Sequence, residues 1–398
     1  METSKTKKLY DLDAYRVQFD AVVVSCVEMH QKDCDVYQVV LDETLFFPEE
    51  GGQSPDTGTV DGIRVIDVQI QGDVITHTLE QPVAEGATVH GSIDWKHRFY
   101  NMQQHSGEHI FSGIVHRRFG FNNVGFHLSD NIVTMDFNGL LSEADVAEVE
   151  YEANEVIVSN LPVEVTYPSN GELAVLDYRS KIEIKGQVRI VTIPGVDVCA
   201  CCAPHVKRTG EIGMLKVMNL SNYKGGVRIS ILCGFRALAA YREKSDILRA
   251  IGGTLSASQE LLPGLVEKLK GANQDLSYQL SKAKQELMTF KIQGISPEQE
   301  NVILFESGIE TPVMRSVVND LTATHKGVCG VFSGTEEEGY QFIIGSAESD
   351  CRKIVSLLRE KAGARGGGSE AMVQGSVQAK AQVLTDLLNH FETKGRSV

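Results

Sequence analysis

The sequence predicts an α+β chain of several domains: a small N-terminal β-barrel, an α+β middle domain, a helical coiled segment and a glycine-rich α/β C-terminal domain. Three observations carry this. From Arg16 to Asp94 short apolar stretches alternate with Gly, Asp and Asn punctuation, the spacing of a small antiparallel barrel or sandwich. From Trp95 to about Leu232 helical and extended patterns alternate, as in an α+β domain. After Gly234 a leucine repeat takes over, and alternating elements then return up to the C-terminal end. At 398 residues the chain exceeds the usual single-domain size. The expected boundaries are 1–94, 95–235, 236–294 and 295–398.

In the first region the strands are Phe19 to Val27, Val36 to Leu41, Val60 to Val68, Val74 to Leu79 and Thr88 to Ile93. Phe46-Phe47-Pro48-Glu49-Glu50-Gly51-Gly52-Gln53 interrupts them with two glycines that permit a tight or left-handed backbone. A plain hairpin fits this run. So does a binding loop that carries Gln53 at its tip. Trp95 to His116 follows a helical period, Tyr151 to Asn160 reads as helix, and Val163 to Val165 and Val188 to Ile193 read as extended. The turn at Pro194-Gly195 delivers the chain into a cysteine cluster.

Beyond Gly234 a helix is expected over Ala237 to Ile251, set apart by Gly252-Gly253 and Pro263-Gly264. Leu262, Leu265, Leu269, Ala272, Leu276, Leu280, Ala283 and Leu287 then recur at spacings of three and four, the seam of a coiled coil or helical hairpin. So narrow a seam must pack on a partner helix of the same chain or of a second subunit. The last region holds Val302 to Glu306, Met314 to Leu321, Gly330 to Ser333, Gln341 to Ile344, a helix over Cys351 to Ala362 and a closing helix near Val377 to Phe391. Between these helices stand Gly363-Ala364-Arg365-Gly366-Gly367-Gly368 and then Gln374-Gly375. Such glycines let backbone approach another chain or a phosphate, and Arg365 adds charge. Neither a Rossmann nor a Walker A signature is present.

The strongest chemical signal is a repeated spacing. His105 and His109 stand four apart in His105-Ser106-Gly107-Glu108-His109, and Cys201 and His205 stand four apart in Cys201-Cys202-Ala203-Pro204-His205. Side chains at i and i+4 of a helix share a face, so each pair can offer two ligands to one ion. Three imidazoles and a thiolate suit tetrahedral Zn2+ and argue against Mg2+ or Ca2+, which prefer oxygen. Cys199 and Cys202 flank the proposed sulfur donor, and on spacing alone either could replace Cys201.

Composition narrows the class. Eight cysteines, scattered except for Cys199, Cys201 and Cys202, fit reduced thiols and a metal site better than a disulfide framework. Met1 to Tyr10 is polar and lysine-bearing, and no apolar run approaches the roughly 18 residues that span a bilayer. A cytoplasmic protein with no membrane partner is expected. The net charge of −15 counts against nucleic acid as a partner. Against that, basic residues gather locally at Lys207, Arg208, Lys216, Lys224 and Arg228, and again at Arg352, Lys353, Arg359, Lys361 and Arg365.

Several segments, in order, resemble the editing half of alanyl-tRNA synthetase and its freestanding AlaX-type relatives. Leu41-Asp42-Glu43-Thr44-Leu45-Phe46-Phe47-Pro48-Glu49-Glu50-Gly51-Gly52-Gln53, continued by Asp56-Thr57-Gly58, is similar to that family's barrel-tip sequence. The family's H-x-x-x-H falls on His105 and His109, and its C-x-x-x-H on Cys201 and His205, which selects Cys201 as the thiolate. Gly366-Gly367-Gly368 with Gln374-Gly375 resembles the glycine-rich DHH-associated domain of longer members. The resemblance covers essentially the whole chain. The residues between the ligands depart from it: Cys202-Ala203-Pro204 stands where many relatives have Gly-Gly-Thr, and Ser106-Gly107-Glu108 also differs.

The resemblance implies a zinc-dependent hydrolase that deacylates mischarged tRNA(Ala), chiefly Ser-tRNA(Ala) and then Gly-tRNA(Ala). It implies Gln53 and Thr44 as groups orienting the acyl moiety, and Gly51 and Gly52 beside the substrate. Arg365, Gly366, Gly367 and Gly368 would lie in a domain that holds tRNA, and the coiled segment would pair two chains. No ATP-activating signature is found and nothing before Met1 supplies an aminoacylation domain, so a freestanding enzyme is expected. Two competitors remain. His105-Ser106-Gly107-Glu108-His109 also matches the H-x-x-E-H of inverted zinc proteases, with Glu108 as general base. The other is a non-catalytic tRNA-binding or structural zinc module.

Overall fold

The computed structural model describes residues 5–30, 35–129, 132–180 and 186–391. The chain divides into two compact units, Met1–Ala250 and Ile251–Val398. The expected first and second domains therefore lie in one unit.

The first unit opens with a closed antiparallel barrel of six strands: β1 (Gln18–His30), β2 (Asp35–Leu41), β3 (Gly58–Val60), β4 (Ile63–Gln71), β5 (Val74–Leu79) and β6 (Thr88–Ile93), in the order β1-β2-β5-β4-β3-β6. Alternation drives it: along β5 the residues Ile75, His77 and Leu79 point inward while their neighbours are half-buried. Phe19, Val23, Val39, Leu41, Phe46 and Phe47 fill the interior. The expected strand Val60 to Val68 is two strands, because Asp61 and Gly62 both take positive φ (48° and 79°) and reverse the chain.

Asp94 then caps α1 (Trp95–Phe119), its side chain accepting from His97 N at 3.2 Å, and Gly120 ends the helix in the left-handed region at φ 70°. From Asn101 to Val115 this helix is buried all round. Around it lie a four-stranded sheet and a three-stranded one. The first has β7 (Asn123–Leu128), β8 (Val133–Phe137), β12 (Leu215–Tyr223) and β13 (Gly226–Cys233), ordered β12-β13-β8-β7, with α2 (Glu143–Val158) beside it. The second is β9 (Glu164–Thr166), β10 (Ile190–Ile193) and β11 (Asp197–Ala200), in that order. Helix α2 starts earlier than periodicity suggested, because Ser142 and Asp145 close a capping box ahead of Tyr151.

Two ties hold the barrel to this core. Arg98 of α1 and Asp56 of the barrel are both fully buried and paired, with Arg98 Nε 3.0 Å from each carboxylate oxygen. Arg98 also donates to Ala14 O and Leu45 O. The barrel loop joins β7 through Leu128 N donating to Gly52 O at 2.7 Å and Ser54 N donating to Leu128 O at 3.3 Å.

Helix α3 (Gly234–Leu255) contains the boundary between the units. In the second unit, α4 (Leu262–Gln293) precedes a five-stranded sheet of β14 (Val302–Glu306), β15 (Cys329–Thr335), β16 (Gly339–Gly345), β17 (Arg365–Gly368) and β18 (Met372–Val377), ordered β14-β15-β16-β18-β17. Only the β14-β15 pair is parallel. Alternate residues feed two cores. Val331 and Ile343 join Met288 of α4 and the apolar face of α5 (Thr311–Thr324), while Phe332 and Phe342 meet α6 (Cys351–Ala362) and α7 (Ala381–Asn389). The expected closing helix near Val377 to Phe391 is thus the end of β18 followed by α7.

Candidate metal centre

Four side chains that the sequence placed in two distant pairs come together. One ligand atom each from His105, His109, Cys201 and His205 lies within 4.8 Å of the other three. Cys201 Sγ is 3.5 Å from His105 Nε2 and 3.4 Å from His205 Nε2. The His109 ring lies 4.6 Å from His205 and 5.4 Å from His105, centroid to centroid. Helix α1 supplies the first pair. The second comes from the turn after β11, where Arg189 Nη1 donates to the carbonyls of Cys201 and Ala203 at 2.8 and 2.9 Å.

Every imidazole is held from behind. His105 Nδ1 meets Gln53 Oε1 at 2.7 Å, His109 Nδ1 meets Asp197 Oδ2 at 2.9 Å, and His205 Nδ1 meets Ser106 Oγ at 3.0 Å. A partner at Nδ1 fixes the ring and leaves Nε2 as the electron-pair donor, the usual arrangement around a ligated histidine. Asp197 is itself gripped by Arg179 through two bonds of 2.7 and 2.9 Å.

The electrostatics favour deprotonated donors at Cys201 and His205, and favour on His109 a proton that a bound ion would displace. Burial would raise the Cys201 thiol, but His105 and His205 beside it hold it well below the ordinary thiol range. Burial pushes His205 down to about 3, toward the neutral imidazole a metal requires. Burial opposes charge on His109 too, yet Cys199 and the Asp197 carboxylate raise it. Cys199 and Cys202, by contrast, are pushed up by burial. The residues therefore fit a tetrahedral ion with three nitrogens and one sulfur.

The residues between the ligands have their own contacts. Ser106 binds His205, and a side chain at Gly107 would strike Cys233 Sγ. Glu108 is fully buried, and its Oε1 accepts from Ser112 Oγ at 2.6 Å and Asn123 Nδ2 at 2.7 Å. Ala203 is buried against the barrel core, and Gly51 faces Cys202 Sγ.

Of the other candidates, Gln53 is at the cluster and Thr44 is within the barrel. Thr44 Oγ1 lies 2.9 Å from His77 Nε2 and accepts from Phe46 N at 3.1 Å, so any contact of its hydroxyl with a ligand requires that network to open. Gly52 takes φ 84° and sits so close to Phe126 that a Cβ would lie 2.5 Å from the Phe126 carbonyl oxygen. The Arg365 segment belongs to the second unit. It is an edge strand instead of an open loop: a Cβ on Gly366 would meet Gln374 O at 2.4 Å and one on Gly368 would meet Met372 O at 2.3 Å, so hairpin packing explains these two glycines, while Gly367 faces open space. Asp197, Arg179 and Phe126, whose ring lies 4.8 Å from His105, escaped the sequence reading. A carboxylate within the apolar run leading to Cys199 was the one available signal, and it marked Asp197 alone.

Comparison with known proteins is consistent with this geometry. Residues 188–230 match the Threonyl and Alanyl tRNA synthetase second additional domain, and residues 5–97 match the tRNA synthetases class II (A) family. These matches define a class, domains of the tRNA synthetases, threonyl and alanyl among them. Alanyl-tRNA editing protein AlaX-L of Pyrococcus horikoshii is 28% identical over 401 residues, covering 96% of this chain and 97% of that protein. Alanyl-tRNA editing protein Aarsd1 of Bos taurus is 31% identical over 278 residues, 66% of this chain and 62% of its own. The alanine–tRNA ligase of Pyrococcus furiosus is 29% identical over 396 residues, 94% of this chain but 42% of the ligase. Over nearly its whole length the chain is thus similar to an alanyl-tRNA editing protein of the long AlaX form, and over two thirds of it to Aarsd1.

Proposed function

We propose that this chain is an aminoacyl-tRNA deacylase that acts on mischarged tRNA(Ala), chiefly Ser-tRNA(Ala) and secondarily Gly-tRNA(Ala), with Zn2+ held by His105, His109, Cys201 and His205. The observation that carries it is the outer ring of Gln53, Asp197 and Ser106, which turns three imidazoles toward one thiol. Zn2+ there would act as a Lewis acid toward the ester or its attacking water, or hold the substrate's amino group. The protein's part is positioning. Asp197, braced by Arg179, orients His109; Ser106 orients His205; Arg189 holds the turn that presents Cys201.

Such a hydrolase answers a discrimination problem. A synthetase pocket sized for alanine cannot exclude glycine well, and rejects serine by size only imperfectly, so a second site must remove the errors. The chain spans nearly all of AlaX-L, and in this reading 1–94 and 95–235 form the editing portion, with 295–398 as a DHH-associated domain for the tRNA body. The seam of α4 then pairs two copies. In this reading Glu108, whose Oε1 accepts from Ser112 and Asn123, takes a supporting part in α1, and those contacts favour the deacylase over a protease. Zinc analysis with chelation tests the proposal: stoichiometric zinc and deacylation that disappears with it are expected, and full deacylation after complete removal of zinc contradicts it.

A further inference from the structure

Gln53 is fully buried, and its two polar atoms differ sharply in what they meet. Oε1 is bonded to His105 Nδ1, while Nε2 is a buried amide donor with no partner among the described residues. A buried donor left unsatisfied costs about 1–3 kcal/mol, and native proteins rarely leave one without a reason. The orientation of the amide is not arbitrary. If His105 gives its Nε2 lone pair to a metal, its Nδ1 carries the proton, and only the amide oxygen can accept it. The amide nitrogen, on the same carbon, then lies beside the His105 ring with both hydrogens to give.

The loop is built to hold that amide still. Gly52 and Ser54, on either side of Gln53, are both hydrogen-bonded to Leu128 of β7, and Gly52 is pressed against Phe126. A donor fixed in this way keeps its aim when the groups that cover it part to admit an acceptor, and a donor aimed in advance stabilises charge developing on a reacting oxygen.

We propose that Gln53 is a two-sided catalytic residue: its Oε1 sets the tautomer of His105, and its Nε2 donates to the carbonyl oxygen of the aminoacyl ester as that oxygen gains charge. This rests on the deacylase reading. In the reaction water forms a bond to the carbonyl carbon and the carbonyl π pair moves onto oxygen. That pair returns as the bond to the ribose oxygen breaks, and the ribose oxygen takes up the proton that water releases. Gln53 transfers no atom. The carbonyl oxygen is common to every aminoacyl ester, so its contribution is to rate and not to the choice of amino acid.

Two variants separate the sides of the amide. Gln53→Glu keeps an acceptor for His105 and loses the donor; Gln53→Ala loses both. With folding checked by circular dichroism, Gln53→Glu is expected to retain zinc against a chelator, while Gln53→Ala releases it about 10–100-fold more readily. Gln53→Glu should lose about 100–1,000-fold in kcat on Ser-tRNA(Ala) and Gly-tRNA(Ala) alike, with KM little changed. A Gln53→Glu protein that works at the wild-type rate overturns the assignment. So does a loss confined to the serine ester, which would place the donor on the side-chain hydroxyl instead. A wild-type protein inactive on both esters overturns the deacylase reading and this assignment together.

Discussion

At the residue scale the ion pair of Arg98 and Asp56 is the clearest determinant of stability. Both are fully buried, and Asp56 also accepts from Phe47 N at 2.7 Å, so removing one partner strands a charge in the interior. Asp56→Ala is expected to cost about 3–5 kcal/mol in denaturant unfolding; a change under 1 kcal/mol would show that the pair is not what fastens the barrel to α1. His77 gives the pH dependence. Burial pushes it down to about 4, against an ordinary 6.5, so between these values the unfolded chain takes up a proton that the folded one refuses. Stability present above pH 6.5 is therefore lost as pH falls toward 4. Relative to His77→Gln, the wild type should lose about 2–3 kcal/mol more between pH 7 and 4.5, and parallel pH profiles would contradict this. Residue types at helical spacing announced His105 and His109, and the second pair announced Cys201 and His205. Asp197 and Arg179 were hidden because their partnership with His109 arises only when β11 packs against α1, which no local pattern encodes.

At the scale of elements, the strands of the barrel were legible because one face of each is buried, and alternation reports that directly. Helix α1 was legible by its helical period from Trp95 to His116 although its middle is enclosed on every side. The Gly366 hairpin was not, since glycine reads as loop and here serves close pairing between β17 and β18. The seam of α4 is expected to pack on a partner helix, and in the single chain Leu269, Leu276, Leu280 and Leu287 are 53–63% exposed. A second copy of the helix would cover it. Leu276→Lys with Leu280→Lys is expected to convert a dimer to monomer in sedimentation equilibrium without loss of helix signal, and a wild type that is monomeric at micromolar concentration would rule the pairing out.

At the scale of the whole molecule, acidity has to be reconciled with the proposed tRNA partner. The net charge is −15, and many of the clustered basic residues are already engaged: Lys216 with Glu150, Arg228 with Asp136 and Arg352 with Asp350. Each of these pairs must open before its cation can displace a counterion. Affinity for tRNA(Ala) should therefore fall only gently with salt, with a log–log slope of magnitude below about 4; a much steeper dependence would mean a basic surface assembled by more than these residues. No helix among the described residues is long and apolar enough to cross a membrane. In the proposed function four ligands from α1 and the turn after β11 make one hydrolytic metal centre. The most direct test is deacylation of Ser-tRNA(Ala) beside correctly charged Ala-tRNA(Ala), by the wild type and by His105→Ala. Rapid loss of serine with alanine spared, abolished in a His105→Ala protein that remains folded, is the predicted result. Release of neither amino acid by the zinc-loaded wild type, or unchanged release by His105→Ala, would contradict it.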